Sequence, residues 1–282
     1  DGHSNMGRET HLMPVVWESQ IVRWQQISKT KWEPVSYLFP VVAPETGKVE
    51  RLNPLPFKDK NQFYNDAFND NFDSKILAPD WVFRRVPQPN TYSLNAKKGY
   101  LRLYLKPETF EPRKRYSAMG ITQKESEFEW EAKMIFNPKK NLEEAGISVY
   151  QKDINFVNLT VQKIGKEHFV KVTVKEKNNQ VTAMTDSAKI PNTEVEAFKS
   201  KALQNYNGEI LLKITSKNGK YLYFFSTDGG ASYEKLAETP DNIVLGMMYT
   251  GANVGIYATS NGQKTTGYAD FDWVSYKGFV KQ

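Results

Sequence analysis

The sequence predicts an all-β protein in which two antiparallel sheets pack face to face. Beyond about residue 66, short segments repeatedly alternate apolar and polar residues with a period of two, which is the pattern of half-buried strands. Turn signals such as Asn218-Gly219 and Asn261-Gly262 separate the later segments. A helical pattern occurs only in NTEVEAFKSKALQ (192–204), which could equally be a loop. Many short strands with one apolar face each favour a two-sheet sandwich.

The clearest strand is FEWEAKMIF (128–136), where the apolar side chains share one face and the charged side chains occupy the other. The same alternation occurs in four further segments: YLRLYLK, VNLTVQ, FVKVTVK and EILLKIT. The sandwich is expected to begin at FNDNFDS (68–74) and to close with YADFDWVSY (268–276). The first and last strands would then bring the two ends of the domain together.

Residues 1–65 have a different pattern. THLMPVVW (10–17) could form one strand, but prolines punctuate the rest of the segment. Such a stretch cannot easily bury a core of its own, so we expect an extended linker that lies along another surface. The sequence therefore predicts two parts: a short strand with a proline-rich linker over residues 1–65, and a β-sandwich over residues 66–282.

Composition limits the possible functions. The chain has 282 residues, of which 39% are hydrophobic and 25% charged, so a packed core is expected. The formal charge of +6 is spread along the chain rather than clustered, and we expect no nucleic-acid partner. The sequence contains no run of about 18 apolar residues, the pattern that would predict a membrane span. No signal-peptide pattern begins the chain, and no cysteine is available for disulfides or thiolate metal sites.

Several segments resemble proteins of glycoside hydrolase family 43, the five-bladed β-propeller β-xylosidases and α-L-arabinofuranosidases. MGRETHLMPVVWE (6–18) resembles the motif of their last propeller blade. Four later stretches resemble the concanavalin-like β-sandwich, or jelly roll, that follows the propeller: the run from FNDNFDSKILAPDW, the segment GITQKESEFEWEAKMIF, the segment AGISVYQKD, and YTGANVGIYATSNG with ADFDWVSY. The resemblance implies the C-terminal part of such an enzyme: a propeller-remnant strand, a linker and a complete accessory sandwich.

The resemblance also implies where catalysis lies. Inverting glycoside hydrolysis needs a carboxylic acid and a separate carboxylate base. Family 43 enzymes place these groups on propeller blades that precede the region seen here, so no catalytic residue is assigned to this chain. The implied partners are a xylo- or arabino-oligosaccharide, bound by the intact enzyme, and the missing propeller. The alternative is a freestanding carbohydrate-binding or structural sandwich without catalysis. The family is mostly bacterial, and a signal peptide on the full-length protein would imply a periplasmic or extracellular location.

Two residues are candidates for substrate binding by this resemblance. Arg8 matches the arginine that reaches into the sugar subsite of xylosidases, and a guanidinium offers a rigid fork of donors to sugar hydroxyls. The alternative is that Arg8 pairs with Glu9 or caps a strand. Tyr249, in the loop MMYTGAN, is nearest to the aromatic residue that such sandwiches project toward the propeller mouth. The alternative for Tyr249 is packing under its own hairpin.

A structural calcium ion is the one cofactor expected. Acidic residues occur on the first strand and on the last, and calcium favours several carboxylate oxygens at about 2.3–2.6 Å. Asp70 and Asp272 are the preferred ligands, with Asp73 and Asp270 nearby. Sandwiches that resemble this one often hold such an ion, but an aspartate beside a turn is commonly only a turn residue.

Two further motifs are expected to carry no function. STDGGASY (226–233) fits the Asp-box pattern, which stabilises a hairpin, and turn chemistry explains one copy between two strands. The Asn158-Leu159-Thr160 sequon lies in the middle of a predicted strand, so it is not expected to be a glycosylation acceptor.

Overall fold

The computed structural model describes residues 12–49, 67–110, 114–176, 196–244 and 250–279. The described residues separate into two compact units, one formed by residues 12–49 and the other by the described residues from 67 onward. The described secondary structure consists of sixteen β-strands and one 3₁₀ turn, at Asp241–Val244. No helix in the described parts of the chain is long and apolar enough to cross a membrane.

The first unit contains a long antiparallel hairpin, formed by β1 (Val15–Ser28) and β2 (Lys31–Val42). This finding corrects the prediction of an irregular linker, because both segments are regular paired strands. Two of the prolines lie within β2, where Pro34 is opposite Trp24 and Pro40 is opposite Trp17. A strand of a two-stranded ribbon has one free edge, so a proline can occupy it without removing a ladder hydrogen bond.

The second unit contains two antiparallel sheets. Its strands are β3 (Ala67–Asp70), β4 (Tyr92–Ser93), β5 (Leu101–Tyr104), β6 (Ser117–Thr122), β7 (Glu127–Ile135), β8 (Glu144–Lys152), β9 (Asn155–Ile164), β10 (Glu167–Glu176), β11 (Glu196–Ala202), β12 (Glu209–Lys217), β13 (Lys220–Ser226), β14 (Glu234–Pro240), β15 (Asn253–Thr259) and β16 (Tyr268–Phe279). The strand order is β11-β10-β9-β8-β15-β6 in the six-stranded sheet and β14-β13-β12-β7-β16-β5-β4 in the eight-stranded sheet, where β3 also pairs with β16. The predicted two-sheet sandwich is confirmed.

One hydrophobic core lies between the two sheets. In β7 the predicted alternation holds, because Phe128, Trp130, Ala132 and Met134 are fully buried while the intervening residues are not. The same core receives alternate side chains from β9, β10 and β12. The indole nitrogen of Trp130 donates a hydrogen bond to the backbone oxygen of Gly255 in the other sheet, at 3.0 Å. The apolar faces read from the sequence therefore form the interior of the sandwich.

The first and last strands of the sandwich are neighbours, as the sequence predicts. β3 pairs antiparallel with β16, so that Ala67 is opposite Lys277 and Asp70 is opposite Val274. β16 also pairs with β5 over its first residues and with β7 along its length. The register of β16 against β7 shifts between Phe271 and Trp273, which is a bulge.

A strand occupies residues 196–202 of the segment 192–204, so the predicted helix and its loop alternative are both wrong there. β11 (Glu196–Ala202) pairs with β10, with Ala202 opposite Phe169 and Lys201 opposite Val170. The helix-forming composition of this segment gives way to pairing with an open sheet edge, because tertiary context overrides weak local propensity.

Candidate functional site

The first aspartate of the predicted calcium site orders a turn at the start of the sandwich. Asp70 accepts a hydrogen bond from the backbone nitrogen of Phe72 at 2.9 Å, and another from the indole nitrogen of Trp81 at 2.8 Å. Phe72 is buried and has a positive φ of 55°. Each carboxylate oxygen of Asp70 thus already holds one protein donor, an arrangement that fixes an Asx turn beneath Trp81.

The aspartates of β16 pair with cations of the protein itself. Asp272 lies 3.1 Å from the Lys133 amine, and this hydrogen bond raises the pKa of Lys133. Asp270 accepts two hydrogen bonds from the Arg102 guanidinium, at 2.8 and 3.0 Å. The hydrogen bond between these two side chains is the main reason that the pKa of Arg102 is raised.

These contacts do not fit a calcium ion well. No group of three or more histidine, aspartate or glutamate side chains is placed to hold a metal within the ranges that the structure describes. Calcium needs six to eight oxygen ligands, and the carboxylates of Asp70 and Asp272 point to different protein partners. A calcium ion at Asp70 and Asp272 stays a prediction that these hydrogen bonds do not favour.

The two predicted sugar-contacting residues, Arg8 and Tyr249, lie outside the described residues. Their assignments stay predictions. The other two motifs are described. Ser226 and Ser232 bond to Asp228, and these hydrogen bonds lower the pKa of Asp228. The Asp-box segment therefore stabilises the connection between β13 and β14, as predicted. Asn158, in the sequon, is buried within β9.

A second cluster of buried side chains lies on the face of the six-stranded sheet that points away from the core. We call it the outer-face cluster; its members are Phe110, Tyr116, Ala118, Tyr150, Phe156 and Tyr257. Phe110 is central, with ring centroids 4.5 Å from Tyr257, 4.6 Å from Tyr116 and 4.9 Å from Phe156. Aromatic pairs at such distances add stability beyond the area that they bury.

Phe110 reaches this face because the chain after β5 leaves the eight-stranded sheet. The backbone N–H of Ser260 donates a hydrogen bond to the backbone oxygen of Lys106 at 2.8 Å. The backbone N–H of Gly262 donates another to the backbone oxygen of Pro107, also at 2.8 Å. These bonds hold the segment against the end of β15. Sequence reasoning missed the cluster, because Phe110 follows Thr109 in a polar stretch without periodicity. The available signal was weaker: β8 and β9 are bordered by aromatic residues that alternate with the core positions.

A charged group closes one end of the outer-face cluster. Asp153 accepts a hydrogen bond from the Tyr116 hydroxyl at 3.1 Å and pairs with the Arg84 guanidinium at 2.9 Å. Burial is the main reason that the pKa of Tyr116 is raised, and burial raises the pKa of Tyr150 to about 12. Both phenols therefore stay neutral at ordinary pH.

A buried carboxylate organises the other end. Glu144 accepts hydrogen bonds from Thr160 at 2.9 Å, from Gln162 at 3.1 Å and from Asn261 at 3.2 Å. The amine of Lys171 lies 2.9 Å from the same carboxylate. Four groups of the protein thus surround Glu144, and Lys171 balances its charge, so Glu144 is a structural carboxylate.

A cavity of about 180 Å³ adjoins this network, and we call it the outer-face pocket. Its lining residues are Thr109, Glu144, Phe156, Asn158, Lys171, Thr173, Tyr257 and Asn261. The pocket combines two aromatic rings with hydroxyl and amide groups, and it holds one charge of each sign. Such a lining suits a small polar molecule with an apolar face.

Comparison with known proteins identifies the sandwich. The profile of the beta xylosidase C-terminal concanavalin A-like domain matches residues 69–277. The chain is 30% identical, over 98% of its length, to a non-reducing end alpha-L-arabinofuranosidase of Bacteroides ovatus, of which it covers 46%. It is 27% identical, over 96% of its length, to a xylosidase/arabinosidase of Butyrivibrio fibrisolvens, of which it covers 47%. The chain thus spans about half the length of both relatives.

Solved structures show the same architecture. A Bacteroides ovatus structure described as Xyloglucan PUL GH43B matches 88% of this chain and 47% of its own, with 26% identity and a TM-score of 0.73. The GH43 BlXynB protein of Bacillus licheniformis matches 98% of this chain and 48% of its own, with 22% identity and a TM-score of 0.71, which supports the fold alone. Since the family profile covers most of the chain, this protein belongs to the family of beta-xylosidase C-terminal concanavalin A-like domains of glycoside hydrolase family 43.

Proposed function

We propose that this chain is the C-terminal part of a family 43-like exoglycosidase that acts on xylan or arabinoxylan-type oligosaccharides. The observation that carries the proposal is the match of nearly the whole chain to less than half of an alpha-L-arabinofuranosidase. A related xylosidase/arabinosidase is matched over a similar share of its length, 47%. In this proposal the sandwich supports a preceding catalytic part and shapes the mouth of its active site.

The described acidic side chains support a structural role for the sandwich. Inverting hydrolysis needs one carboxylic acid and one carboxylate with room for a water between them. The buried carboxylates of the described residues are already engaged: Glu144 by Lys171, Asp153 by Arg84, Asp270 by Arg102, and Glu143 by two backbone N–H groups. Carboxylates held in this way are poorly placed to exchange protons with a substrate.

The hairpin of β1 and β2 supports a partner for the first unit. Its large apolar side chains are exposed, with 64% of Trp17 and 65% of Leu38 accessible to solvent. Trp24, Trp32 and Tyr37 are also exposed. Apolar patches of this kind mark surfaces that another protein part covers. We assign that role to the preceding region of the longer protein, which corresponds to the predicted propeller.

Arg8 and Tyr249 keep their predicted roles in this proposal. Arg8 would donate hydrogen bonds to sugar hydroxyls in the active site of the intact enzyme, because its guanidinium presents several donors in a fixed geometry. Tyr249 would pack against the substrate at the mouth of that site.

Hydrolysis of 4-nitrophenyl β-D-xyloside and α-L-arabinofuranoside tests the proposal. We expect the purified chain to be inactive, and activity to appear when the preceding region of the parent gene is supplied. In the reconstituted enzyme, Arg8→Ala should lower kcat/KM by about 100-fold, which is the effect of several lost transition-state hydrogen bonds. The matched control is Arg115→Ala, since Arg115 is exposed on the sandwich. Turnover by the chain alone would place the catalytic carboxylates within the sandwich and contradict the proposal.

A second function is favoured by the outer-face pocket. A freestanding carbohydrate-binding module needs aromatic and hydroxyl groups but no catalytic carboxylates, and the pocket supplies the first two. If reconstitution never yields hydrolysis while the chain alone binds oligosaccharides, this alternative is the correct one.

A further inference from the structure

Three polar side-chain atoms on the outer face of the six-stranded sheet have no hydrogen-bond partner. They are the hydroxyl oxygen of Ser148, the amide oxygen of Asn158 and the hydroxyl oxygen of Thr173, and they make up three of the four such buried atoms among the described residues. The residues are 1%, 3% and 4% exposed. Buried polar groups in folded proteins are nearly always satisfied, so each of these atoms calls for a partner that the described residues do not supply.

The three atoms are not scattered. Ser148 of β8 is directly opposite Asn158 of β9, which is directly opposite Thr173 of β10. Residues paired in this way have Cβ atoms about 4.5–5.5 Å apart and point to the same side of the sheet. The unpartnered groups therefore form a row across three strands, at a spacing that one ring-shaped molecule with several polar substituents can match.

The row borders the outer-face pocket, since Asn158 and Thr173 line it. A water molecule occupies about 30 Å³ of liquid, so the cavity of about 180 Å³ has room for several waters or for one small ring. Phe156 and Tyr257 provide apolar walls beside the polar row. The pocket is thus amphipathic, with polar groups along one side and aromatic rings along another.

The charged and polar groups of the pocket favour an uncharged ligand. Glu144 and Lys171 form an ion pair at 2.9 Å, so the lining carries no net charge from them. The amide oxygen of Asn158 can only accept a hydrogen bond, so it needs a ligand O–H or N–H and opposes an anion. The hydroxyls of Ser148 and Thr173 can either donate or accept. A neutral molecule with several hydroxyl groups and an apolar C–H face satisfies all of these conditions.

We propose that the outer-face pocket binds one neutral sugar ring, whose hydroxyl groups bond to Asn158 and Thr173 while its C–H face packs against Phe156 and Tyr257. The site lies on the sandwich itself and does not require catalysis. The choice of pentoses as the first probes rests on the proposed function, but the site itself does not. Binding is measured on the chain alone, so its failure and the failure of the proposed glycosidase activity are separate results.

The experiment is a titration of the purified chain with D-xylose, L-arabinose, D-glucose and xylobiose. Binding is measured by isothermal titration calorimetry and by ligand-observed NMR. We expect saturable binding of at least one neutral sugar, with D-glucuronate binding more weakly because it adds a negative charge. The comparison of xylose with xylobiose distinguishes a free monosaccharide from the end of an oligosaccharide. Equal or tighter binding of D-glucuronate would overturn the assignment of a neutral ligand.

Thr173→Val is the decisive variant, because it removes one unpartnered hydroxyl and nearly keeps the side-chain volume. We expect sugar affinity to fall about tenfold, as for one lost hydrogen bond, while the thermal midpoint without sugar stays the same or rises. The matched control is Thr239→Val. The hydroxyl of Thr239 is also buried but lies 2.7 Å from the hydroxyl of Tyr223, so its loss should lower the midpoint and leave sugar affinity unchanged.

Two results would overturn the proposal. The first is that none of the neutral sugars shows saturable binding at millimolar concentration. The second is a crystal structure, grown with sugar, in which only ordered waters bridge Ser148, Asn158 and Thr173. In the second case the row is a buried-water site, and Thr173→Val would alter stability without altering any sugar affinity.

Discussion

Trp130 and Gly255 join the two sheets of the sandwich through a hydrogen bond of 3.0 Å, from the indole nitrogen to a backbone oxygen. Trp130 is fully buried, and its ring also meets Trp81 edge-on, with the centroids 6.4 Å apart. A buried backbone oxygen that loses its donor retains the cost of leaving water. This bond therefore fixes how the two sheets face each other, beyond what apolar packing alone specifies.

Replacing Trp130 by phenylalanine should remove that bond and leave the Gly255 oxygen unsatisfied. We expect Trp130→Phe to lower the free energy of unfolding by about 1–3 kcal/mol, measured by urea denaturation. Trp17→Phe serves as the control, because Trp17 is exposed on the hairpin and its replacement should change stability by less than about 0.5 kcal/mol. Equal effects of the two substitutions would show that the bond between the sheets contributes nothing measurable.

The Asp70–Trp81 hydrogen bond should contribute to stability without a metal ion. We expect Asp70→Asn to lower the free energy of unfolding by about 1–2 kcal/mol, since one indole donor loses its carboxylate acceptor. A double-mutant cycle with Trp81→Phe should then show coupling between the two side chains. Independent, additive effects would argue against a direct interaction.

The same residue tests the calcium prediction. An ion bound to the folded state raises the thermal midpoint as its concentration increases. Because Asp70 and Asp272 already bond to Trp81 and Lys133, we expect calcium chloride and EDTA to give the same midpoint. A rise with calcium that disappears in Asp70→Ala would establish the predicted ion site instead.

The β12–β13 turn depends on its glycine. Gly219 has a φ of 74° and follows Asn218, whose φ is 51°. No atom lies within 4 Å of the position that a Cβ at Gly219 would occupy, so backbone strain alone decides the cost of a side chain. We expect Gly219→Ala to lower the free energy of unfolding by about 1 kcal/mol. Gly219→Asn is the matched comparison and should cost less, because asparagine tolerates this conformation. Equal losses for the two variants would contradict this account.

His168 should make stability depend on pH. Burial, aided by the charge of Lys163, lowers the pKa of His168 from 6.5 in the folded protein. The unfolded state then binds a proton more readily, so stability should fall as the pH decreases through about 6.5 and downward. His168→Phe keeps a ring next to Tyr206, whose centroid is 5.1 Å away, and should reduce this loss. The test is the difference in unfolding free energy between the two proteins at pH 7 and pH 5; no difference in pH dependence would exclude His168 as its source.

The sequence predicted the sandwich best where one apolar face alternates with one polar face. β7 is such a strand, and its burial follows the pattern residue by residue. Local periodicity is sufficient in this case, since the strand is half-buried. The proximity of β3 and β16 was also predicted, from the expected start and end of the sandwich, and the structure shows that the two strands pair.

Other features could not be read from local patterns. β8 is buried on both faces, so alternation does not show that its outer side supports the outer-face cluster. Phe110 arrives from a segment that belongs to neither sheet, and only the tertiary fold places it there. The proline-containing segment that forms β2 was predicted to be part of a linker, because the sequence does not show that each strand of the hairpin has a free edge. The unpartnered row of Ser148, Asn158 and Thr173 depends on cross-strand register, which sequence periodicity does not give.

The pairing of β3 with β16 also determines how the sandwich responds to a mechanical load. Ala67 and Lys277 are direct partners at the same end of an antiparallel pair. Tension applied through these two positions would act across the strands and open their hydrogen bonds one after another, starting from this pair. Asp70, the last residue of β3, would be reached only at the end, so the Asp70–Trp81 bond is sheltered from the first steps of such unzipping.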